Sequence, residues 1–278
     1  MSWWWPFGGK KPKMMIDKAL LVGINAYPGA PLQGCVNDVN NMAGLLVKKY
    51  KFPAENVRLL CDKRATTAAI RERLHWLVSD LKPGSRVLFH YSGHGAQTAT
   101  RAHSGEVDGL DEVICPVDFD WSDAHMIRDK EFYEIFKAVP ADVKFCWVSD
   151  SCHSGDLTKE MPGKHGSIKI AKTMPTPVDV AWKVAVAKNK SLMGSREANA
   201  LNVGFVSGCK SSQTSADTYM EGHPCGALTY YLIKALNTLP PTTPLDQIVA
   251  QVNRDLAANG YEQQPQCEGT RMHSPFLG

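Results

Sequence analysis

The stretch 143–155, VKFCWVSDSCHSG, constrains this chain more than any other. It opens on an apolar run (Val143, Phe145, Cys146, Trp147, Val148) of the length of a buried strand, then breaks into small and polar residues from Ser149 to Gly155. A cysteine at the C-terminal lip of such a strand, here Cys152, sits on a rigid element yet faces the crevice where open α/β sheets keep their ligands. A second stretch has the same grammar. Arg86 to Tyr91 reads as a strand and breaks into Ser92-Gly93-His94-Gly95, where the glycines let the backbone turn and approach a bound group closely. One cysteine and one histidine, each at the end of its own strand, make a candidate nucleophile and base.

The rest of the chain supports an α/β layer. Ala19–Ile24 is a continuous apolar run and reads as the first buried strand. A Pro/Gly-rich loop leads to a helix with Val39, Met42, Ala43, Leu46 and Tyr50 on one face, where Asn37 or Asp38 is a natural N-cap. Asn56–Leu60 reads as a strand, and Thr66 or Thr67 caps a helix with Ile70, Leu74, Leu77 and Leu81 inward. A short strand at Glu112–Cys115 and a helix over Asp129–Val139 precede the Cys152 strand. After it come a strand at Val203–Val206 and helices over Gly226–Leu236 and Leu245–Leu256. The alternation predicts a mostly parallel central sheet flanked by helices. The segment 156–200 carries three prolines and seven lysines and reads as a linker or exposed loop, with a short helix near Val180–Ala187. Residues 1–17 form a Trp- and Lys-rich tail before a single domain over 18–278, with parts at 18–155 and 201–278.

Composition narrows the function. A net charge of +3 and no basic stripe interleaved with aromatics argue against nucleic acid. The eight cysteines include no Cys-x-x-Cys pair, so a structural zinc has little support. Nothing resembles a secretion signal, which speaks for reduced thiols in the cytoplasm. No apolar run reaches the length of a membrane span, and the short Trp run is read as a tail rather than a membrane anchor.

Taken together, His90-Tyr91-Ser92-Gly93-His94-Gly95 and Asp150-Ser151-Cys152-His153-Ser154-Gly155 resemble the two catalytic motifs of metacaspases, caspase-like cysteine peptidases. The resemblance extends to Val22–Asn25, Gly34–Asp38, Asp108–Glu112, Ser207–Lys210 and Gln213–Asp217. The separation of His94 and Cys152, 152 − 94 = 58 residues, is close to that of caspases. The resemblance implies a caspase-like fold, with a large-subunit part to about Gly155 and a small-subunit part from about Leu201. It implies Cys152 as nucleophile, His94 as acid/base, and the backbone N–H groups of Gly95 and Cys152 as oxyanion donors. It also implies a primary specificity pocket built from Asp38, Asp150, Cys35 and Ser92. Carboxylates there select Arg or Lys, so the expected partners are proteins or peptides cut after a basic residue by a monomeric enzyme. The bland readings are a helix cap for Asp38 and a turn-stabilising side chain for Asp150. The alternative function is a catalytically silent scaffold of the same fold.

Many metacaspases respond to calcium through acids matching Asp108 and Asp129. Here Arg128 stands beside Asp129 and Lys159 replaces a downstream acid, and fixed positive charge opposes a divalent ion. A solvated acidic loop is the preferred reading of Asp108, Asp111, Glu112, Asp118, Asp120, Asp123 and Asp129; no cofactor is required and no metal site is expected. The lysines of the 156–200 segment (Lys159, Lys164, Lys169, Lys172 and beyond) are candidate self-cleavage sites, or simply solvated loop residues.

Overall fold

A computed structural model describes residues 15–99, 110–152, 161–162, 168–187, 201–210 and 213–278. Asp108, Lys159, Lys164 and the Trp run at 3–5 lie outside the described residues. In chain order the elements are β1 (Lys18–Gly23), α1 (Cys35–Lys48), β2 (Val57–Cys61), α2 (Thr67–Val78), β3 (Arg86–Ser92), β4 (Gly95–Ala99), β5 (Leu110–Ile114), β6 (Ile127–Arg128), α3 (Asp129–Phe136) and β7 (Lys144–Asp150). They continue as β8 (Met161–Pro162), β9 (Ile168–Ala171), α4 (Val178–Ala187), β10 (Gly204–Ser207), β11 (Ala216–Met220), β12 (His223–Gly226), α5 (Ala227–Thr238), α6 (Leu245–Ala258) and β13 (Gln266–Glu268).

The central sheet has the order β13-β10-β7-β3-β1-β2. Its five inner pairings run parallel except the last, where β13 pairs antiparallel with β10. Strands buried on both faces require apolar residues pointing both ways. In β1, Leu20 and Val22 face one core while Ala19 and Leu21 face the other. The first core is covered by α2 (Ile70, Leu74, Leu77) and α3 (Phe132, Ile135, Phe136), the second by α1, α5 and α6. Rings of Phe89, Phe132, Phe136 and Trp147 interlock in the first core, with centroids 4.7–6.2 Å apart.

Two smaller sheets flank the C-terminal edge: β4-β5-β6 and β12-β11-β9-β8. The segment read as a linker therefore holds β9, paired antiparallel with β11, and the helix α4. β9 alternates only over Ile168-Lys169-Ile170, too short a run to read as a strand by itself; its pairing with β11 defines it. Helix ends also differ from the periodic reading. α1 stops at Lys48, which leaves Tyr50 outside it, and α2 stops at Val78, short of Leu81. Thr66 does cap α2, its hydroxyl accepting from Ala69 N at 3.3 Å. The strand order reverses between β1 and β3, and ligand crevices of open α/β sheets form at such points.

Candidate active site

β3 and β7 are neighbours in register, with Ser92 opposite Asp150. His94 and Cys152 each follow two residues beyond that pair, so the two corners read from the sequence open side by side. Asp38 comes from the first turn of α1, which follows β1. It is not the N-cap: Gly34 occupies that position without a side-chain bond. The loop before α1 is instead tied by Asp217, whose carboxylate accepts from Gln33 N at 2.6 Å and Gly34 N at 3.0 Å. The first N–H groups of α1, those of Cys35 and Val36, are met by Asn25 Oδ1 at 2.9 and 3.4 Å, so Asp38 is not needed as a cap and turns inward.

Asp38, Asp150, Ser92 and Cys35 meet in one buried pocket, and the pocket is filled by Lys172 of the same chain. Its ammonium lies 3.2 Å from Asp38 Oδ2, 3.2 Å from Asp150 Oδ2 and 2.9 Å from Ser92 Oγ. An ammonium has three donors, and these contacts use all of them. The side chains of Lys172, Asp38 and Asp150 are 0%, 1% and 0% exposed, so solvent does not screen the cluster. Each carboxylate is further held. Asp38 accepts from Ser92 Oγ at 2.7 Å and Gly226 N at 2.9 Å; Asp150 accepts from Ser215 Oγ at 2.7 Å, Thr229 Oγ1 at 2.7 Å and Thr229 N at 3.0 Å.

Burial alone raises both carboxyls. At Asp150, Lys172 and the Ser215 and Thr229 hydrogen bonds outweigh burial and hold the carboxyl below its ordinary value. At Asp38, burial and the Asp150 charge prevail over Lys172 and leave it at about 6. Burial acts to lower Lys172, but Asp150, Cys35 and Asp38 keep it protonated well above the usual lysine value. Burial also pushes the Cys35 thiol well up, against the pull of Lys172.

The backbone of Lys172 is fixed as firmly as its side chain. Ala171 and Ile170 pair antiparallel with Ala216 and Asp217, and Lys172 N donates to Ser215 O at 3.0 Å. Lys172 O accepts from both Gly95 N and Cys152 N at 3.1 Å. Beyond it, Met174 N donates to Gly95 O at 2.9 Å. The segment thus runs through the cleft as an added strand, with the Lys172–Thr173 peptide bond over the two corners.

The His94 corner is braced by a tyrosine pair. Tyr27 Oη accepts from His94 N at 3.1 Å, Tyr91 Oη donates to His94 O at 2.6 Å, and the two hydroxyls lie 3.0 Å apart. A Cβ at Gly93 would fall 2.5 Å from Tyr27 Oη and 2.7 Å from Tyr91 Oη, so this turn needs glycine. His94 Nε2 lies 2.8 Å from Ala30 O. A carbonyl only accepts, so Nε2 carries the proton and Nδ1 keeps a lone pair; Nδ1 is buried and makes no hydrogen bond. Burial, against the Ala30 carbonyl, depresses the imidazole to about 4. The Cys152 thiol is turned to Ser215, accepting from Ser215 N and lying 3.6 Å from Ser215 O, with Cys209 Sγ at 3.7 Å.

Sequence reasoning named Lys172 only as one lysine among several and missed the Ala30 carbonyl, Ser215, Thr229 and Gly226. The glycine at 226 was the available signal: a Cβ there would lie 2.2 Å from both Lys172 Nζ and Asp150 Oδ2. The acids read for calcium are engaged otherwise. Arg128 bridges Asp111 and Asp123, and Lys130 Nζ lies 3.1 Å from Asp111. Asp129 Oδ1 accepts from Lys130 N at 2.8 Å, and Asp118 caps the start of α2 through Thr67 N at 2.8 Å. Asp111, Asp118, Asp123 and Asp129 thus each have a cation or a backbone N–H against them. Among the described residues no cluster of three or more His, Cys, Asp or Glu side chains forms a metal site, and no helix is long and apolar enough to cross a membrane.

In the Cys152→Ala chain, a lysine-acylating reagent should modify exposed Lys48 and Lys63 readily and leave Lys172 protected. Adding Gly226→Ala should expel the ammonium and raise acylation of Lys172 at least about tenfold, because charged side chains stay buried only when paired. Peptide mapping by mass spectrometry reads the result; equal acylation of Lys172 and Lys48 in the Gly226 parent would contradict the buried cluster.

A family model described as metacaspase, peptidase C14 domain, matches residues 17–160. The chain is 34% identical over 290 residues to metacaspase-1 of Schizosaccharomyces pombe, covering 90% of this chain and 66% of that one. It is 33% identical to metacaspase-1 of Coccidioides immitis, with 90% and 60% covered, and 34% identical to metacaspase-1A of Aspergillus oryzae, with 94% and 70% covered. The chain therefore spans roughly two thirds of the length of the relatives it matches. The crystal structure of a Geobacter sulfurreducens protein shares the fold, with a TM-score of 0.66 at 24% identity over 94% of this chain and 98% of that one. The mostly parallel sheet with its two corners, the family match and these relatives agree: the chain belongs to the metacaspase family.

Proposed function

We propose that this chain is a cysteine endopeptidase that cleaves after Lys or Arg, and that its first substrate is its own Lys172–Thr173 bond. Family membership supports the peptidase reading. The observation that carries the specificity is the pose of Lys172: ammonium on Asp38 and Asp150, carbonyl on Gly95 N and Cys152 N. Recognition by strand addition, with a side-chain pocket setting preference, is a general way to hold an extended peptide.

The chemistry follows from the geometry. The neutral Nδ1 of His94 takes the thiol proton of Cys152, and Ala30 O holds the ring and stabilises the imidazolium that forms. The sulfur swings from Ser215 and attacks the carbonyl carbon of Lys172. The oxygen gathers negative charge where Gly95 N and Cys152 N already donate, each such donor being worth on the order of 10²–10³ in rate. His94 then protonates the leaving nitrogen of Thr173, and water, with His94 as base, releases the Lys172 carboxylate. An arginine guanidinium fits the same two carboxylates. The positive charges of Arg128 and Lys130 against Asp111 oppose a divalent ion, so turnover without calcium is expected. The enzyme acts as a monomer in the cytoplasm.

Purified wild-type chain should convert to fragments 1–172 and 173–278, seen by intact mass, while Cys152→Ala and Lys172→Ala remain whole at that bond. Peptides ending in Lys or Arg should be turned over with calcium or with chelator alike, and those ending in Asp or Asn should not. A cut elsewhere with Lys172–Thr173 intact, or turnover of the Asp peptide, would defeat this reading.

The pH dependence has a defined sign. Asp38, at about 6 with a cation beside it, takes up a proton as pH falls and removes one of the two charges that hold the substrate's. The acid limb of kcat/KM for a Lys peptide should therefore fall near pH 6, and Asp38→Asn should abolish that limb along with most of the rate. An acid limb below pH 5 in the wild type would remove Asp38 from recognition.

A further inference from the structure

The thiol–thiol contact at the nucleophile has no part in the reaction above. Cys152 and Cys209 follow the ends of β7 and β10, parallel neighbours with Ser149 opposite Ser207. Their backbones run close: a Cβ at Gly208 would lie 2.8 Å from Ser151 O. Continued by two residues, the register sets Ser151 opposite Cys209, so Cys152 is its diagonal neighbour. The sulfurs are 3.7 Å apart, already in contact and about 1.7 Å from the bonded value of about 2.05 Å.

We propose that Cys152 and Cys209 form a reversible disulfide under peroxide, which switches the peptidase off and guards its nucleophile. Cys209 is half-buried and hydrogen-bonded to Gln213 O at 3.1 Å. Its thiol is held protonated by the neighbouring Cys152 and by burial, which suits a resolving thiol rather than the first to be oxidised. Of the other six cysteines, Cys35, Cys115, Cys146 and Cys225 are buried, and the half-buried Cys61 and Cys267 lie on other strands, β2 and β13.

The steps balance. With the Lys172 segment out of the cleft, the Cys152 thiolate attacks hydrogen peroxide; the O–O bond breaks and the sulfur becomes a sulfenic acid as hydroxide leaves. The Cys209 sulfur then attacks that sulfur, the S–O bond breaks, and the thiol proton leaves with the hydroxyl as water. Two thiols are oxidised by two electrons and one peroxide is reduced to two waters. Without Cys209, the sulfenic acid proceeds to sulfinic acid, which thiols do not reduce. The switching effect rests on the peptidase reading, whereas the bond itself does not.

The test uses the full chain, wild type and Cys209→Ser, each treated with a few equivalents of hydrogen peroxide, then alkylated, digested and mapped by mass spectrometry. Hydrolysis of a Lys peptide is followed alongside, relative to each protein's own untreated rate. The wild type should show a peptide linked through Cys152 and Cys209, lose activity about tenfold and regain most of it with dithiothreitol; the variant should lose activity and not regain it. A linked peptide with no turnover by either untreated protein would uphold the disulfide and defeat the peptidase reading. Turnover without a linked peptide, wild-type inactivation that dithiothreitol does not reverse, or a variant that recovers as fully as the wild type would overturn the disulfide.

Discussion

A lysine ammonium held between two buried carboxylates is the interaction on which the rest of this structure depends. Two carboxylates so close and so far from water repel each other, and burying either without a partner costs several kcal/mol. Lys172 resolves the conflict, with Ser92 completing its three bonds. The residues around it are there to keep the two acids in place: Gly226 leaves room, Thr229 and Ser215 hold Asp150, and Gly226 N and Ser92 hold Asp38. Without a cation between them, the two buried carboxylates would be left uncompensated.

The fold supplies the alignment. Parallel β3 and β7 end together at Ser92 and Asp150, so the pocket acids and the two reactive corners are set by one register. A slip of one residue in that pairing would separate them. The added strand at 168–174 uses β11 on one side of Lys172 and Gly95 on the other, and so reads out the same register through its backbone. Side-chain charge and main-chain hydrogen bonds therefore report on the same few atoms: with the ammonium on Asp38 and Asp150, the Lys172 carbonyl lies at Gly95 N and Cys152 N.

What the sequence made legible was local and strongly patterned. β1, β3 and β7 are continuous apolar runs, and the corners after β3 and β7 carry the distinctive small and polar residues. Asp38, Asp150, Cys35 and Ser92 were named through resemblance, and all four do lie around one cation. The strands β9, β11 and β12 were invisible because they are short and mixed in composition, and only pairing with distant segments defines them. Lys172 looks like any loop lysine until its partners, 134 and 80 residues earlier in the chain, are brought to it. Asp38 had an adequate local explanation as a helix cap, and the bonds from Asn25 to the first helical N–H groups and from Asp217 to the preceding loop show why it is released for another task.

The central claim is that the chain presents its own Lys172–Thr173 bond to its own Cys152. The most direct measurement is the time course of cleavage at that bond, by intact mass, over a hundredfold range of protein concentration from a chemically unfolded, freshly refolded stock. An intramolecular pose predicts a single first-order rate constant that does not change with concentration. A rate constant that rises in proportion to concentration would mean that one molecule cuts another, and would contradict the pose on which this account stands.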